Sequence, residues 1–164
     1  MPPTTLLLAS VLKPLDDTRM FGKFGRTLAE RPGMQVHVAG RRAPHPPGAP
    51  TNLHTHELLA GSRLSWQRLA AQWRYWQLLQ QVQPQVVVVH APELLPLTLL
   101  WCSQGRERHF IYDVRENYAL NILTQQVYPH VLRQLLAKLV RGIETAATRR
   151  AARLATGWHR HGPV

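Results

Sequence analysis

Four short polar clusters carry the residue types that could bind or transform a ligand. They are Lys13-Pro-Leu-Asp16-Asp17-Thr18-Arg19, Arg41-Arg42, His90-Ala-Pro-Glu93 and Asp113-Val-Arg115-Glu116-Asn117. Carboxylates accept hydrogen bonds from hydroxyls such as those of a sugar, and guanidinium forks grip phosphate. Gathered in one place, Lys13, Arg19, Arg41, His90, Glu93, Asp113, Arg115 and Glu116 would line a cleft for a polar, phosphorylated ligand. Taken singly, each is a capping or turn residue. The argument for a site is that all four clusters close apolar runs.

Other chemistries find less support. Gly22-Lys-Phe-Gly25 is not a spaced-glycine nucleotide signature, and it falls inside a helical pattern, where close helix packing explains it better. There is no P-loop and no nucleophile elbow around Ser62 to Ser65. Nine histidines invite a metal. His54 and His56 would share a strand face, and His159 and His161 repeat that spacing. With one cysteine and no ligand pattern beside them, the expectation is no metal and no cofactor.

The elements that must position these clusters follow from periodicity. Val86-Val-Val-Val89 is apolar on both faces, as suits a strand inside a parallel sheet. Thr5–Val11 reads as a first buried strand, Met34–Ala39 as a second, Asn52–Glu57 as a short third and Phe110–Asp113 as a fifth. Asp17 or Thr18 can cap a helix with the stripe Met20, Phe21, Phe24 and Leu28, which stops at Arg31-Pro32-Gly33. Arg41 to Thr51, with Pro44, Pro46, Pro47, Gly48 and Pro50, reads as a surface loop without regular structure. A helix from about Ser62 to Val82 carries Trp66, Leu69, Ala70, Trp73, Trp76 and Leu79, read as its core stripe rather than a base-stacking platform. Leu94–Ser103 is the next helix. A short helix follows from Tyr118 to Leu123, and Pro129 opens a long amphipathic one whose other face is basic.

Strands alternating with helices make this an α/β chain: a Rossmann-like parallel sheet flanked by helices, in one domain. Ligands of such sheets bind beyond the carboxyl ends of the strands, where all four clusters fall. The domain is expected over residues 1–154, with 155–164 as a tail.

Composition bounds the partners. The chain has 164 residues and a net charge of +11, from 20 Lys+Arg against 9 Asp+Glu. Such a surface favours anionic partners: phosphorylated substrates, phospholipid headgroups or nucleic acid. Nucleic acid is disfavoured, because no helix-turn-helix, ribonucleoprotein motif or zinc-finger spacing is present. The lone Cys102 suits a reducing compartment. Leu6 to Leu12 lacks a basic n-region before it and is too short for a signal peptide or a membrane span. The expected location is cytoplasmic, with the basic helix from Pro129 to Arg153 allowing peripheral attachment to an anionic membrane face.

Three stretches carry a resemblance. Ser10-Val-Leu-Lys-Pro-Leu-Asp-Asp-Thr-Arg-Met20, His90-Ala-Pro-Glu-Leu-Leu-Pro96 and Tyr112-Asp-Val-Arg-Glu-Asn-Tyr118 resemble the N-terminal half of bacterial GT-B glycosyltransferases of the family 4-like group, over about Leu6 to Ala152. The resemblance implies a domain that receives a sugar or lipid-linked acceptor, while a C-terminal domain holds the nucleotide-sugar donor. It implies no metal. It assigns acceptor binding to Lys13, Asp16, Asp17, Thr18, Arg19, His90, Glu93, Asp113, Arg115, Glu116 and Asn117. Two departures stand out. Relatives carry Asp-Val-His-Glu where this chain has Asp113-Val-Arg115-Glu116, and Arg cannot serve as a general base. Relatives also continue into a donor domain, whereas Ala155 to Val164 shows no strand. A chain inactive in transfer by itself is therefore expected, either a truncated product or one whose missing half a partner supplies. The alternatives are a basic α/β module for nucleic acid or another anionic ligand, and a response-regulator-like domain. For the latter, Asp16 and Asp17 fall too late after the first strand.

Overall fold

A computed structural model of the chain describes residues 3–60, 67–105 and 107–113, together with Gly142 and Thr145. The chain divides into two compact units, Met1–Asp113 and Val114–Val164. The first holds every element described below. The helices expected from Tyr118 and Pro129, the boundary at residue 154, and Arg115, Glu116 and Asn117 lie outside the described residues.

Five strands form one sheet: β1 (Thr4–Pro14), β2 (Met34–Arg41), β3 (Leu53–Leu59), β4 (Val86–Val89) and β5 (His109–Tyr112). All pairings are parallel, and the order is β3-β2-β1-β4-β5. The expected α/β, Rossmann-like architecture is therefore present. In this order the chain winds outward one way from β1 and the other way from β4, so the connections leaving those two strands part and open a crevice.

β4 has the bounds of its four valines, whereas the other strands run further, or start elsewhere, than their apolar letters suggest. β1 continues through Lys13 and Pro14, and β2 through Gly40 and Arg41. The reason is a close approach. A Cβ on Gly40 would sit 2.9 Å from the Lys13 carbonyl oxygen, and Leu15 N–H donates to the Arg41 carbonyl at 2.9 Å. Only glycine lets the two backbones stay paired that far.

The two sheet faces are covered by different helices. Leu6, Leu8, Val36, Val38 and Val88 pack with Met20, Phe21 and Ala29 on one side. Alternation sends Leu7, Ala9, Val87 and Val89, all fully buried, to the other. Each such aliphatic side chain contributes roughly 1.5–3 kcal/mol by leaving water. The first helical segment is a wide π-type stretch, Thr18–Gly25, that tightens into α1 (Arg26–Ala29). Gly25 lets it settle onto β2 and β3, since a Cβ there would meet Leu53 Cδ1 at 3.2 Å and Val38 Cγ2 at 3.4 Å.

The other helices are α2 (Gln67–Val82) and α3 (Leu95–Ser103), the latter entered through a 3-10 turn at Pro92–Leu94. Here the tryptophan stripe is corrected. The buried face of α2 is Ala71, Tyr75, Leu78 and Leu79, while Leu69 is 65% and Trp73 63% exposed. Two apolar stripes at helical spacing compete on this helix. The Tyr75 stripe wins because its hydroxyl finds Thr98 Oγ1 at 2.7 Å on α3, so the phenol can be buried whole. That burial raises the Tyr75 pKa. Trp76 is half-buried and meets Trp101 edge-on at 6.3 Å. Among the described residues no helix is long and apolar enough to cross a membrane.

Candidate functional site

Backbone register places three side chains at the crevice. Beyond the end of β4, His90 N–H donates to the Ala9 carbonyl of β1 at 2.9 Å. One strand further, Asp113 N–H donates to the Val89 carbonyl at 2.9 Å. Both residues are thus continuations of the parallel ladder, held one after the other along the sheet's carboxyl edge. Arg19 arrives from β1's side. The Asp17 carboxylate caps the π-type segment by accepting from Arg19 N–H at 3.1 Å and Met20 N–H at 2.8 Å. Losing such a cap typically costs ~1 kcal/mol, and here it also sets where Arg19 begins.

The three meet in a chain of charge-assisted bonds. His90 Nδ1 lies 2.8 Å from Asp113 Oδ2, and Arg19 Nη2 donates to Asp113 Oδ1 at 2.6 Å. An ionised carboxylate only accepts, so the proton of the first bond sits on Nδ1 and the carboxylate fixes the ring's orientation. Phe24 closes the circuit. Its ring stacks on His90 at 6.1 Å between centroids, and the Arg19 guanidinium stands 5.3 Å from its centre. Arg19 therefore touches the Asp113 carboxylate by an ion pair and the Phe24 ring that covers His90 by a cation–π contact.

Exposure ranks the members. The side chain of His90 is wholly buried, that of Asp113 is 15% exposed and that of Arg19 44%. His90 thus lies beneath the surface under Phe24, orienting Asp113, and Arg19 is the part of the cluster that meets solvent. The sequence singled out Arg19, His90 and Asp113, and they are brought together. Phe24 was read only as core, since nothing in a helical apolar position signals that its ring will roof an imidazole.

The remaining candidates distribute around this cluster. Asp16 is exposed on the loop after β1, Asp17 serves as the cap, and Thr18 is exposed as the first residue of the π-type segment. Lys13 and Arg41 stand together where β1 and β2 end, and Arg41 Nε is buried with no hydrogen-bond partner among the described residues. Arg42 pairs with Glu57 at 3.1 Å. Glu93 pairs with Arg68 of α2, a partner the sequence gave no reason to expect, and its Oε1 has no hydrogen-bond partner among the described residues.

A second group of ring nitrogens lies on β2 and β3. Parallel register puts His37 beside His54 and Ala39 beside His56, so the three imidazoles share one face. His37 Nδ1 is 2.8 Å from His56 Nε2, and His54 Nε2 is 3.1 Å from Gln35 Oε1. Burial first, then the neighbouring rings His56 and His54, lowers the His37 pKa to about 4. Burial, then His54, lowers that of His56. The sequence paired His54 with His56 by spacing but missed His37, because cross-strand register is not a local property.

Fold and site together define an α/β, Rossmann-like domain with a linked Arg–Asp–His cluster at its crevice. Set against known protein-family models and curated proteins, the chain has no match.

Proposed function

We propose that Met1–Asp113 is the body of an acceptor-binding domain of a GT-B glycosyltransferase, handling a sugar or lipid-linked acceptor. The observation that carries the reading is the Arg19–Asp113–His90 chain at the strand-order reversal. It joins the three sequence stretches on which the glycosyltransferase resemblance rests. In this reading Arg19 meets the acceptor's phosphate or hydroxyls, Asp113 accepts from a hydroxyl, and His90 holds the carboxylate in place from below. A nucleotide-sugar donor would be held by a separate domain, as the resemblance implies.

The test is binding of a panel of soluble glycans and polyprenyl-phosphate-linked sugars by the full chain, measured by saturation-transfer NMR. Binding by the parent that is lost in Arg19→Ala and in Asp113→Asn supports the proposal. Binding unchanged in both variants, or confined to polynucleotides, would overturn it. The polynucleotide outcome is the rival reading from the +11 charge. Its signature is affinity that falls steeply with salt, because each phosphate contact releases a counterion.

A further inference from the structure

The imidazoles of β2 and β3 lie away from the Arg19–Asp113–His90 cluster and take no part in the reading above. β3 ends the sheet order, so β2 is its one strand neighbour among the described residues. His37 and His56 are half-buried, and His54 is exposed. The His37 ring lies 5.1 Å from that of His56, nearly parallel at 21°, and 5.0 Å from that of His54. We propose that His37, His54 and His56 form an acid-sensitive latch, closed while neutral, that holds the edge strand β3 to β2 and lets it loosen as protons are taken up. The latch stands apart from the acceptor reading.

Hydrogen-bond chemistry limits the charge these rings can carry. His37 Nδ1 and His56 Nε2 face each other at 2.8 Å, so one donates and the other accepts. With both rings protonated, N–H would face N–H, and the bond between the strands would become a repulsion. A single added proton can leave the bond in place, but it charges a half-buried ring that has His54 close by.

No carboxylate among the described residues pairs with these rings. Register on β1 sets Leu7 beside His37 and Ala9 beside Ala39, and on β2 Gln35 meets His54 Nε2 at 3.1 Å. Glu57, next to His56 in sequence, alternates to the other face and pairs with Arg42. The charged residues of α2, which packs on β3, are Arg68, tied to Glu93, and Arg74, which donates to the Leu58 carbonyl at 2.9 Å. His45, in the loop before β3, meets Thr55 Oγ1 at 3.2 Å. The π-type segment and α1 cover the opposite face, with Val36 and Val38. None of these offers the cluster a negative charge.

Closure is therefore strongest at neutral pH. Burial first, then His56 and His54, holds His37 at about 4 against an ordinary 6.5, and burial, then His54, lowers His56 as well. Below about 6.5 the loosened strand binds protons that the closed one excludes, so closure is progressively lost as pH falls from about 6.5 towards about 4.

The test is amide hydrogen exchange of the full chain by NMR at about pH 7 and about pH 5, each rate taken relative to the unstructured-peptide rate at the same pH. Protection of the β3 amides that bond to β2 should fall about three- to tenfold more between the two pH values than protection of β1 and β4. The half-open rings keep this below the roughly twentyfold that the His37 shift would give unscreened. His56→Gln should at least halve the excess, because Gln can still bond His37 without titrating, and His37→Gln with His56→Gln should abolish it. Protection lost equally in all strands, no change with pH at β3, or an undiminished excess in either variant would each overturn the latch. The first two outcomes are read on the parent chain, so they decide even if a variant fails to fold.

Discussion

The sheet carries histidines in two settings, and the contrast shows what a partner does to an imidazole. His90 is wholly buried and is held by a carboxylate that is itself held by Arg19. His37 and His56 are half-open and lean on each other. A carboxylate fixes the tautomer and the ring plane and stabilises a positive charge if one forms. A second imidazole fixes the plane but opposes the charge, and burial first, with the neighbouring rings His56 and His54 adding to it, drives His37 down to about 4. The first setting suits a ligand that exchanges hydrogen bonds, and the second is a closed pair whose two facing nitrogens share one hydrogen bond.

Substitutions can break or sharpen this contrast. The largest effect is expected from His90→Ala, which deletes a buried ring under Phe24 and strips Asp113 of a donor. A loss of about 2–4 kcal/mol in urea unfolding follows from the cavity and the broken bond together. A loss below about 1 kcal/mol would mean that His90 is not enclosed as described. Asp113→Asn keeps the shape but loses the charge shared by Arg19 and His90, and a loss of about 1–2 kcal/mol is expected. Arg19→Ala should cost no more than about 1 kcal/mol, because nearly half of that side chain is in water and exposed pairs are screened. That cost should shrink in high salt, and a salt-independent cost would place Arg19 deeper than it stands here. On the other region, His54→Gln should leave unfolding within about 0.5 kcal/mol of the parent, since an exposed ring with one amide and one ring contact has little to lose.

Much of the fold could be read from the residues, and the reasons are local. Four valines bounded by Pro84 and His90 have few ways to be anything but an inner strand. Asp17 followed by Met20, Phe21 and Phe24 gives both a cap and a stripe. The helix from Gln67 was harder. Two apolar stripes fit its sequence, and the choice depends on a hydroxyl of α3 that lies 23 residues away from Tyr75. Trp73→Ser offers a check on that correction, with stability expected to change by no more than about 0.5 kcal/mol. A loss of several kcal/mol would return Trp73 to the core.

The candidate site was legible as a set of residue types and less so as an arrangement. Arg19, His90 and Asp113 were named because each closes an apolar run, and parallel order gathers such positions. Glu93, three residues after His90, and Arg42, from another of the four clusters, turned to partners on α2 and β3 instead. Those choices rest on which long side chain can reach which carboxylate, and spacing along the chain does not encode reach. The same limit hid His37, whose partner is set by strand register.

The sharpest measurement is a backbone amide NMR titration of the full chain with the glycan that binds best in the panel. If the crevice is where an acceptor sits, the shifts will concentrate at Asp17 to Met20, at His90 and at Asp113, and they will vanish in Arg19→Ala. Shifts confined to β2 and β3, or spread evenly over the basic surface, would contradict the acceptor-domain account.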